Sequence, residues 1–393
     1  MMLDTKTPVL ILGGKENSLS VTRHLGRLGI AVRVSGTANC LGMYSRYCRE
    51  SLPVRRGTLQ IDHWKHLLLG AGRRLDGHIV LAMSDEALEF LIANHSALQA
   101  RYLLDVSDPQ QHRDLLDKQK TLELASAAGI AAPRFWTPKT QTELAAIRGL
   151  IRFPVMVKPK SSHKFSRALG VKLFIIEDSF DELARKFQIA RDLDLDVMVV
   201  EMIPGPDSLL SSYYSYIDGN GTKLFRYTKR IIRRWPVNRG NACYHANDWL
   251  PETAAAGEKL FDHIGLKGLG NVEFKRDTRD GLLKVIEVNT RITAAQELTV
   301  RSGIPIDLII YLNLTGQPVP QYRDYRHDLR LWHPFRDFLC YLELRQRHEL
   351  TFPQWLKSVA TMSNILPLFS LTDPLPMFGA GYAIIRRLAQ VRH

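Results

Sequence analysis

Cysteine is scarce in this chain, with four residues, Cys40, Cys48, Cys243 and Cys340, among 393. None has the close spacing of a metal finger, which argues against a zinc-stapled module and predicts free thiols in a reducing compartment. No long hydrophobic run opens the chain: MMLDTKTPVLILGG offers four consecutive apolar residues before Gly13. That is too short for a signal peptide or a membrane span, so a cytoplasmic protein is expected. Internal repeats and low-complexity tracts are absent as well. Acidic residues are in deficit, 40 against 53 basic ones, for a formal net charge of +13. This excess favours anionic partners, whether nucleotides, acidic metabolites, phospholipid surfaces or nucleic acid, and chooses none of them. With 45% apolar and 24% charged residues the chain is ordinary globular material, with room for about two or three domains.

What is present begins with alternation. PVLILGG reads as a buried strand, SLSVTRHLGRLGI as a helix ended by Gly29, AVRVSG and HIVLAMS as further strands. SDEALEFLIANHSAL follows as a helix with Ser84 as N-cap and acids in its first turn. This is the βαβ rhythm of a parallel sheet covered by helices. The segment GGKENS lacks the later glycines of a dinucleotide fingerprint, and AVRVSG ends without the acid that would hold a ribose, which argues against nicotinamide or flavin binding. After YLLDVSDP the pattern changes. DKQKTLELASAAGI reads as a helix stopped by Gly129, FPVMVKPKSSHKFSRALGVKLF as strand, polar loop and strand, and DSFDELARKFQIARDL as an amphipathic helix begun at Asp178 or Ser179. DVMVVEMIPG is a strand running into a turn, and SYYSYI, KLFRYT and RIIRRW read as antiparallel strands.

The stretch GNVEFKRDTRDGLLKVIEVNTRI, Gly270 to Ile292, holds the densest chemistry. Side chains two apart share a strand face. Val272, Phe274, Ile286 and Val288 fall on one parity, and Glu273, Lys275, Glu287, Asn289 and Arg291 on the other. RDTRDG has the Asp and Gly content of a hairpin loop. If the two runs pair so that the apolar set is buried, Glu273, Glu287 and Asn289 converge as hard oxygen ligands suited to Mg2+ between protein and phosphates. Periodicity alone leaves open a two-faced strand pair with solvated charges.

Lys158 lies on the apolar strand FPVMVKP. A buried lysine calls for an anion, and a phosphate meets that need; a snorkelling lysine with a wet head is the alternative. The following KSSHKFSR supplies hydroxyls and amides that can cover phosphates. In VVEMIPGPD, Glu201 ends a strand whose extended backbone can read an adenine edge, or simply precedes a proline turn.

In order, an Asp-Lys heading a helix that ends Ala-Gly-Ile, then Val-Lys-Pro, Val-Glu-Met-Ile-Pro-Gly, Asn-Val-Glu-Phe and Ile-Glu-Val-Asn-Thr-Arg, this chain resembles the ATP-grasp superfamily from about Pro8 to Pro320. Within it, RRWPVNRGN and LWHPFRDFLCYLEL followed by a later Asp-Pro are similar to ATP-dependent carboxylate-amine ligases related to D-aspartate ligase. The resemblance implies a mixed α/β and α+β fold. An N-terminal Rossmann-like domain would span residues 1–113, a central lid subdomain 114–200, a C-terminal α+β subdomain with the Mg-ATP site 201–320, and a helical extension 321–393. It further implies that Lys118 and Lys158 contact nucleotide phosphates, that Glu201, Met202 and Ile203 form the adenine hinge, and that Asp207 binds ribose. Glu273, Glu287 and Asn289 match the metal ligands, for Mg2+ or alternatively Mn2+. Arg291 matches the arginine beside the reacting carboxyl, with Lys158 as its catalytic companion, and Arg233 is a candidate for holding the acid substrate. The loop KSSHKFSR departs from the glycine-rich form of many relatives, which leaves His163 unassigned.

The activity so implied is ADP-forming ligation: a small-molecule carboxylate is activated as an acylphosphate and captured by an amine or thiol. The rival is a nucleotide-binding protein without turnover, attached to a membrane or envelope assembly through the apolar, basic-ended tail from Ile365. Packing of that tail on the body of the protein is the simpler expectation, since its prolines and glycines interrupt any spanning helix. Nucleic acid rests only on RYTKRIIRRW and on net charge, and is disfavoured. A homodimer is the default assembly for a soluble enzyme.

Overall fold

A computed structural model describes residues 2–160 and 162–379. The first domain is a five-stranded parallel sheet of β1 (Val9–Leu12), β2 (Val32–Gly36), β3 (Cys48–Pro53), β4 (Ile79–Ala82) and β5 (Leu103–Leu104), in the order β3-β2-β1-β4-β5. Strand β1 has no polar residue because both its faces are covered. Val9 and Ile11 enter one core, Leu10 and Leu12 the other. The first of these cores also contains Tyr214, Phe225, Leu269 and Ile309 from the largest domain, so the two domains share apolar packing. Helix Glu16–Arg27 follows β1 and ends where Gly29 takes a φ of +86°, a conformation glycine adopts without strain. Ser84 accepts the amide of Ala87 at the head of helix Asp85–Ala93, as its sequence position predicted.

The second sheet has four antiparallel strands, β6 (Phe135–Trp136), β7 (Val155–Pro159), β8 (Phe174–Ile176) and β9 (Val197–Glu201), in the order β6-β9-β7-β8. Helix Phe180–Asp192, capped by Ser179, packs on it. The segment expected as a polar loop between two strands is instead mostly helix Ser162–Leu169. Phe165 and Leu169, one turn apart, turn the same way into the lid core, with Phe165 fully buried. Burying such a ring contributes on the order of 1.5–3 kcal/mol, enough to favour a short helix over a loop.

The third sheet has seven strands, β10 (Leu210–Ile217), β11 (Lys223–Trp235), β12 (Asn241–Asn247), β13 (Gly268–Arg276), β14 (Leu283–Asn289), β15 (Arg330–Trp332) and β16 (Asn364–Ile365), in the order β14-β13-β10-β11-β12-β15-β16. All pairs are antiparallel except β15 with β16. KLFRYT and RIIRRW are a single strand, β11, because Thr228 and Lys229 at their junction are buried against β10 rather than turned out as a loop. The C-terminal extension is likewise not only helical: it adds β15 and β16 to the sheet and packs helices Pro334–Gln346 and Phe352–Val359 beside them.

Beyond β16 the chain returns to the first domain. The Arg23 guanidinium donates to Asp373 Oδ2 at 2.8 Å and to the carbonyls of Pro367 and Leu368, while Ser45 Oγ and the Arg46 amide also reach Asp373. The expected packing of the tail therefore holds as far as Asp373, and its basic end, residues 380–393, lies outside the described residues. Among the described residues no helix is long and apolar enough to cross a membrane.

Candidate active site

The antiparallel register of β13 and β14 sets Glu273 opposite Glu287 and Asn271 opposite Asn289. Opposed residues share a face, so both carboxylates and both amides point away from the core that holds Val272, Phe274, Val285 and Val288. The parity expected from the sequence breaks once, because a bulge between Glu273 and Phe274 pairs Phe274 with Val285 and leaves Ile286 over. Ile286 is thus not a core residue, and its carbonyl accepts from Lys158 Nζ at 3.3 Å. Bulges re-aim backbone groups in this way next to active sites.

Lys158 comes from β7 of the lid. Burial pushes its pKa down to about 8 against the pull of Glu287, with Lys118 adding repulsion. Lys118 opens helix Lys118–Ala127, which Asp117 caps. The two lysines act on the carboxylates in turn: burial alone would raise Glu287, but Lys118 and Lys158 hold it below the usual range. Glu273 goes the other way, raised first by burial and then by the charge of Glu287. A half-buried pair of facing carboxylates, with the Asn289 amide beside them, is a donor set of hard oxygens that suits a divalent cation.

At the lid hinge, the Glu201 amide donates to the Arg134 carbonyl at 2.9 Å and that of Met202 to Pro154 at 3.0 Å. Pro204 has no N–H, so among the described residues the Ile203 amide is the donor left for a purine edge, rather than a run of three. Asp207, expected at the ribose, accepts from Arg234 Nε at 2.7 Å and from the Asn238 amide at 3.0 Å. Arg234, which the sequence did not single out, and Lys275, which parity put on the face of Glu273 without a role, lie beside Asp207. Lys275 donates to the Gly205 carbonyl at 2.7 Å and is held down to about 8 by burial. The turn between β11 and β12 closes tightly, with the Gly240 amide 2.7 Å from the Pro236 carbonyl; a Cβ there would fall 1.9 Å from the Trp235 carbonyl group.

Of the two candidate arginines, Arg233 departs from expectation. Arg233 does not face the site: its Nε and Nη2 reach the two oxygens of Asp337 at 2.6 and 2.9 Å, and its Nη1 reaches Ser358 at 2.9 Å. A bulge at Ile232 turns it to the side of β11 that packs on helix Pro334–Gln346. Arg291 lies beside the site and pairs with Asp85, on the first turn of helix Asp85–Ala93, at 2.6 Å. The arginines of the basic strand are neutralised within the chain, Arg226 by Glu258, Arg230 by Asp248 and Arg234 by Asp207, whereas Lys229 has no ion pair among the described residues. The helix Ser162–Leu169 meets the first domain at the site edge through an ion pair of Arg167 with Glu86 at 2.5 Å and a contact of His163 Nε2 with Glu89 at 3.3 Å.

This three-sheet arrangement matches known structures. The biotin carboxylase domain of Hydrogenobacter thermophilus 2-oxoglutarate carboxylase, solved with MgADP, ADP and bicarbonate, superposes with a TM-score of 0.64 at 17% identity, over 83% of this chain and 74% of that one. The fold is ATP-grasp. Sequence comparison points the same way. The family described as carbamoyl-phosphate synthase L chain, ATP binding domain, matches residues 249–312, which include β13 and β14. A D-alanine--D-alanine ligase of Fusobacterium nucleatum subsp. nucleatum is 22% identical over 218 residues, 51% of this chain and 66% of that protein. The vancomycin/teicoplanin A-type resistance protein VanA of Enterococcus faecium is 28% identical over 198 residues, 47% of this chain and 54% of its own length. The matches thus span between about half and two thirds of these relatives.

Proposed function

We propose that this ATP-grasp protein is an ADP-forming ligase that joins a small carboxylic acid to an amine, or to a thiol, through an acylphosphate. The observation that carries the reading is the facing pair Glu273 and Glu287, with Asn289 alongside and the charges of Lys118 and Lys158 bearing on Glu287. Glu273, Glu287 and Asn289 would hold Mg2+, with Mn2+ as the alternative ion. Such a cation neutralises charge on transferring phosphoryl oxygens when bound. In this reading Lys118 and Lys158 bind the phosphates, the Ile203 amide reads the base, and Asp207 binds the ribose. In the first step a substrate carboxylate oxygen bonds to the γ-phosphorus as the bond to ADP breaks. In the second, the nucleophile bonds to the carbonyl carbon, phosphate leaves and the nucleophile's proton is lost. Arg291, oriented by Asp85, is positioned to stabilise the oxyanion of that second step.

The test is release of ADP and phosphate from Mg-ATP across a panel of acids and amines. Turnover that requires one acid and one nucleophile together is the expected outcome. ATP hydrolysis indifferent to every acid and amine would overturn the reading.

A second reading, a nucleotide-binding protein held at a membrane surface, is favoured by one observation. Helices Pro334–Gln346 and Phe352–Val359 expose Phe335, Phe338, Phe352 and Leu356, and the following segment exposes Met362, Phe369 and Leu371. Apolar surface of this kind on a basic protein suits contact with anionic lipid. Flotation of the full chain with phosphatidylserine vesicles, compared with a Phe335→Ser, Phe352→Ser variant, measures it; equal flotation of the two rejects this face as the contact.

A further inference from the structure

The large sheet carries a second group of polar side chains, on the same face as the metal carboxylates, that the ligase reading does not use. Ser212 stands opposite both Glu273 and Lys229, so these three share a face of β13, β10 and β11. Two residues further along β11, Ile231 stands opposite His245 of β12, and His245 stands opposite Leu331 of β15. His333 follows Leu331 by two, immediately before the helix that carries Arg336. The group therefore begins two strand spacings from Glu273, roughly 10 Å, a distance one small molecule spans.

These side chains are buried without matching partners inside the chain. Lys229 is 4% exposed and its Nζ takes part in no hydrogen bond or ion pair among the described residues; the Tyr214 ring lies 5.8 Å from it. His245 is 2% exposed with both ring nitrogens unpaired, and His333 is 5% exposed with Nε2 unpaired. Arg336 Nη2 lies 3.1 Å from Glu16 Oε1 without the alignment of a hydrogen bond. Gln296 adds an amide, 1% exposed and unpaired at both ends, from a helix that packs on both helix Glu16–Arg27 and β15. Burial, with Lys229, His333 and Arg336 close by, keeps His245 well below the ordinary imidazole range. His333 is lowered in the same way by burial and by Arg336.

Orphaned buried donors are costly unless a ligand satisfies them. Two cations and two neutral imidazoles face the carboxylates of Glu16, beside Arg336, and Glu273, which bears on Lys229. With Glu273 engaged by the cation of the proposed metal site, the remaining balance favours an anion over an ammonium or an apolar group. We propose that Lys229, His245, His333 and Arg336 form an anion subsite, and that the acid this protein activates carries a second anionic group, carboxylate or phosphate, that binds there. That the ligand is the acid undergoing activation rests on the ligase reading; the subsite itself is testable by binding alone.

The experiment is calorimetric titration of the full chain, saturated with Mg-ADP, with succinate, phosphonoacetate and propionate. Succinate or phosphonoacetate is expected to bind at least about tenfold tighter than propionate, the scale of one charge-assisted hydrogen bond. Which of the two binds tighter separates a second carboxylate from a phosphate. Arg336→Gln and His333→Gln, each checked for an unchanged melting temperature and Mg-ADP affinity, should abolish that preference. A wild-type protein with no preference for either probe over propionate, or a preference that survives in both variants, overturns the proposal. If the preference is present and variant-sensitive while no acid supports ADP release, the subsite stands and the ligase reading falls.

Discussion

Glu273 and Glu287 face each other directly across β13 and β14, yet their carboxyls are driven in opposite directions, Glu273 up and Glu287 down. The asymmetry has a simple origin: Lys118 and Lys158 bear most strongly on Glu287, while Glu273 experiences its neighbour's charge on top of burial. A divalent cation between them would relieve the repulsion and draw both into the ionised form.

Glu287→Gln is therefore expected to reduce acid-dependent ADP release by on the order of 100-fold or more, while leaving the fold intact. Thermal stabilisation by MgCl2 with ADP should shrink in the same variant. Full turnover, or undiminished stabilisation, would remove Glu287 from the metal site.

Nucleotide affinity should fall as pH rises through about 8, the value to which burial lowers Lys158. Phosphate favours the charged lysine, so binding near that pH takes up a proton. For stability the sign is the reverse. The folded pKa lies below the unfolded one, so the cost of charging buried Lys158 is fully present below about 8 and is relieved as pH rises from there toward 10.5. Calorimetry of ATP binding at pH 8 in two buffers of different ionisation enthalpy measures the uptake. It should diminish in Lys158→Arg; if it persists there and vanishes in Lys275→Arg, the titrating group is Lys275, which burial also holds at about 8.

Arg233→Ala should act on stability rather than on substrate. The Asp337 carboxylate it holds is fully buried, and breaking such a pair costs about 3–5 kcal/mol. Urea denaturation should show that loss, with the KM for ATP unchanged. A stable variant with a raised KM for the acid would return Arg233 to the substrate site.

The lid contact is weaker. Arg167 is 48% exposed, so its pair with Glu86 contributes on the order of 1 kcal/mol or less and weakens with salt. Glu86→Gln should speed hydrogen exchange in residues 162–169 and leave the lid core of Phe165 and Phe187 protected. Unchanged exchange would mean that apolar packing alone holds the helix down.

The sequence made the ATP-grasp order and the odd-numbered face of β13 and β14 legible, because strand alternation is local and Glu273, Glu287 and Asn289 obey it. It could not show where alternation breaks. The bulge that releases Ile286 and the one that turns Arg233 toward Asp337 are set by strand register, which depends on partners far away in the chain. The helix Ser162–Leu169 was hidden for a related reason: its short apolar face is just Phe165 and Leu169, and it makes sense only once the lid core exists. His333 and Arg336 stand within LWHPFRDFLCYLEL, which carried a resemblance but gave neither a role, and His245 carried no motif; only the order β11-β12-β15 makes the three neighbours. The Asp-Pro near the end did carry a signal, and Asp373 turns out to be the partner of Arg23.

That last pair has a consequence for synthesis. Arg23 and Asp373 are separated by 350 positions, and Arg23 is 4% exposed once they meet. A ribosome making this chain delivers the parallel sheet first, with a guanidinium seated in a socket whose acceptors have yet to be translated. The first domain must therefore wait, incompletely bonded, until the segment around Asp373 has emerged, and its closure reports that this segment has arrived.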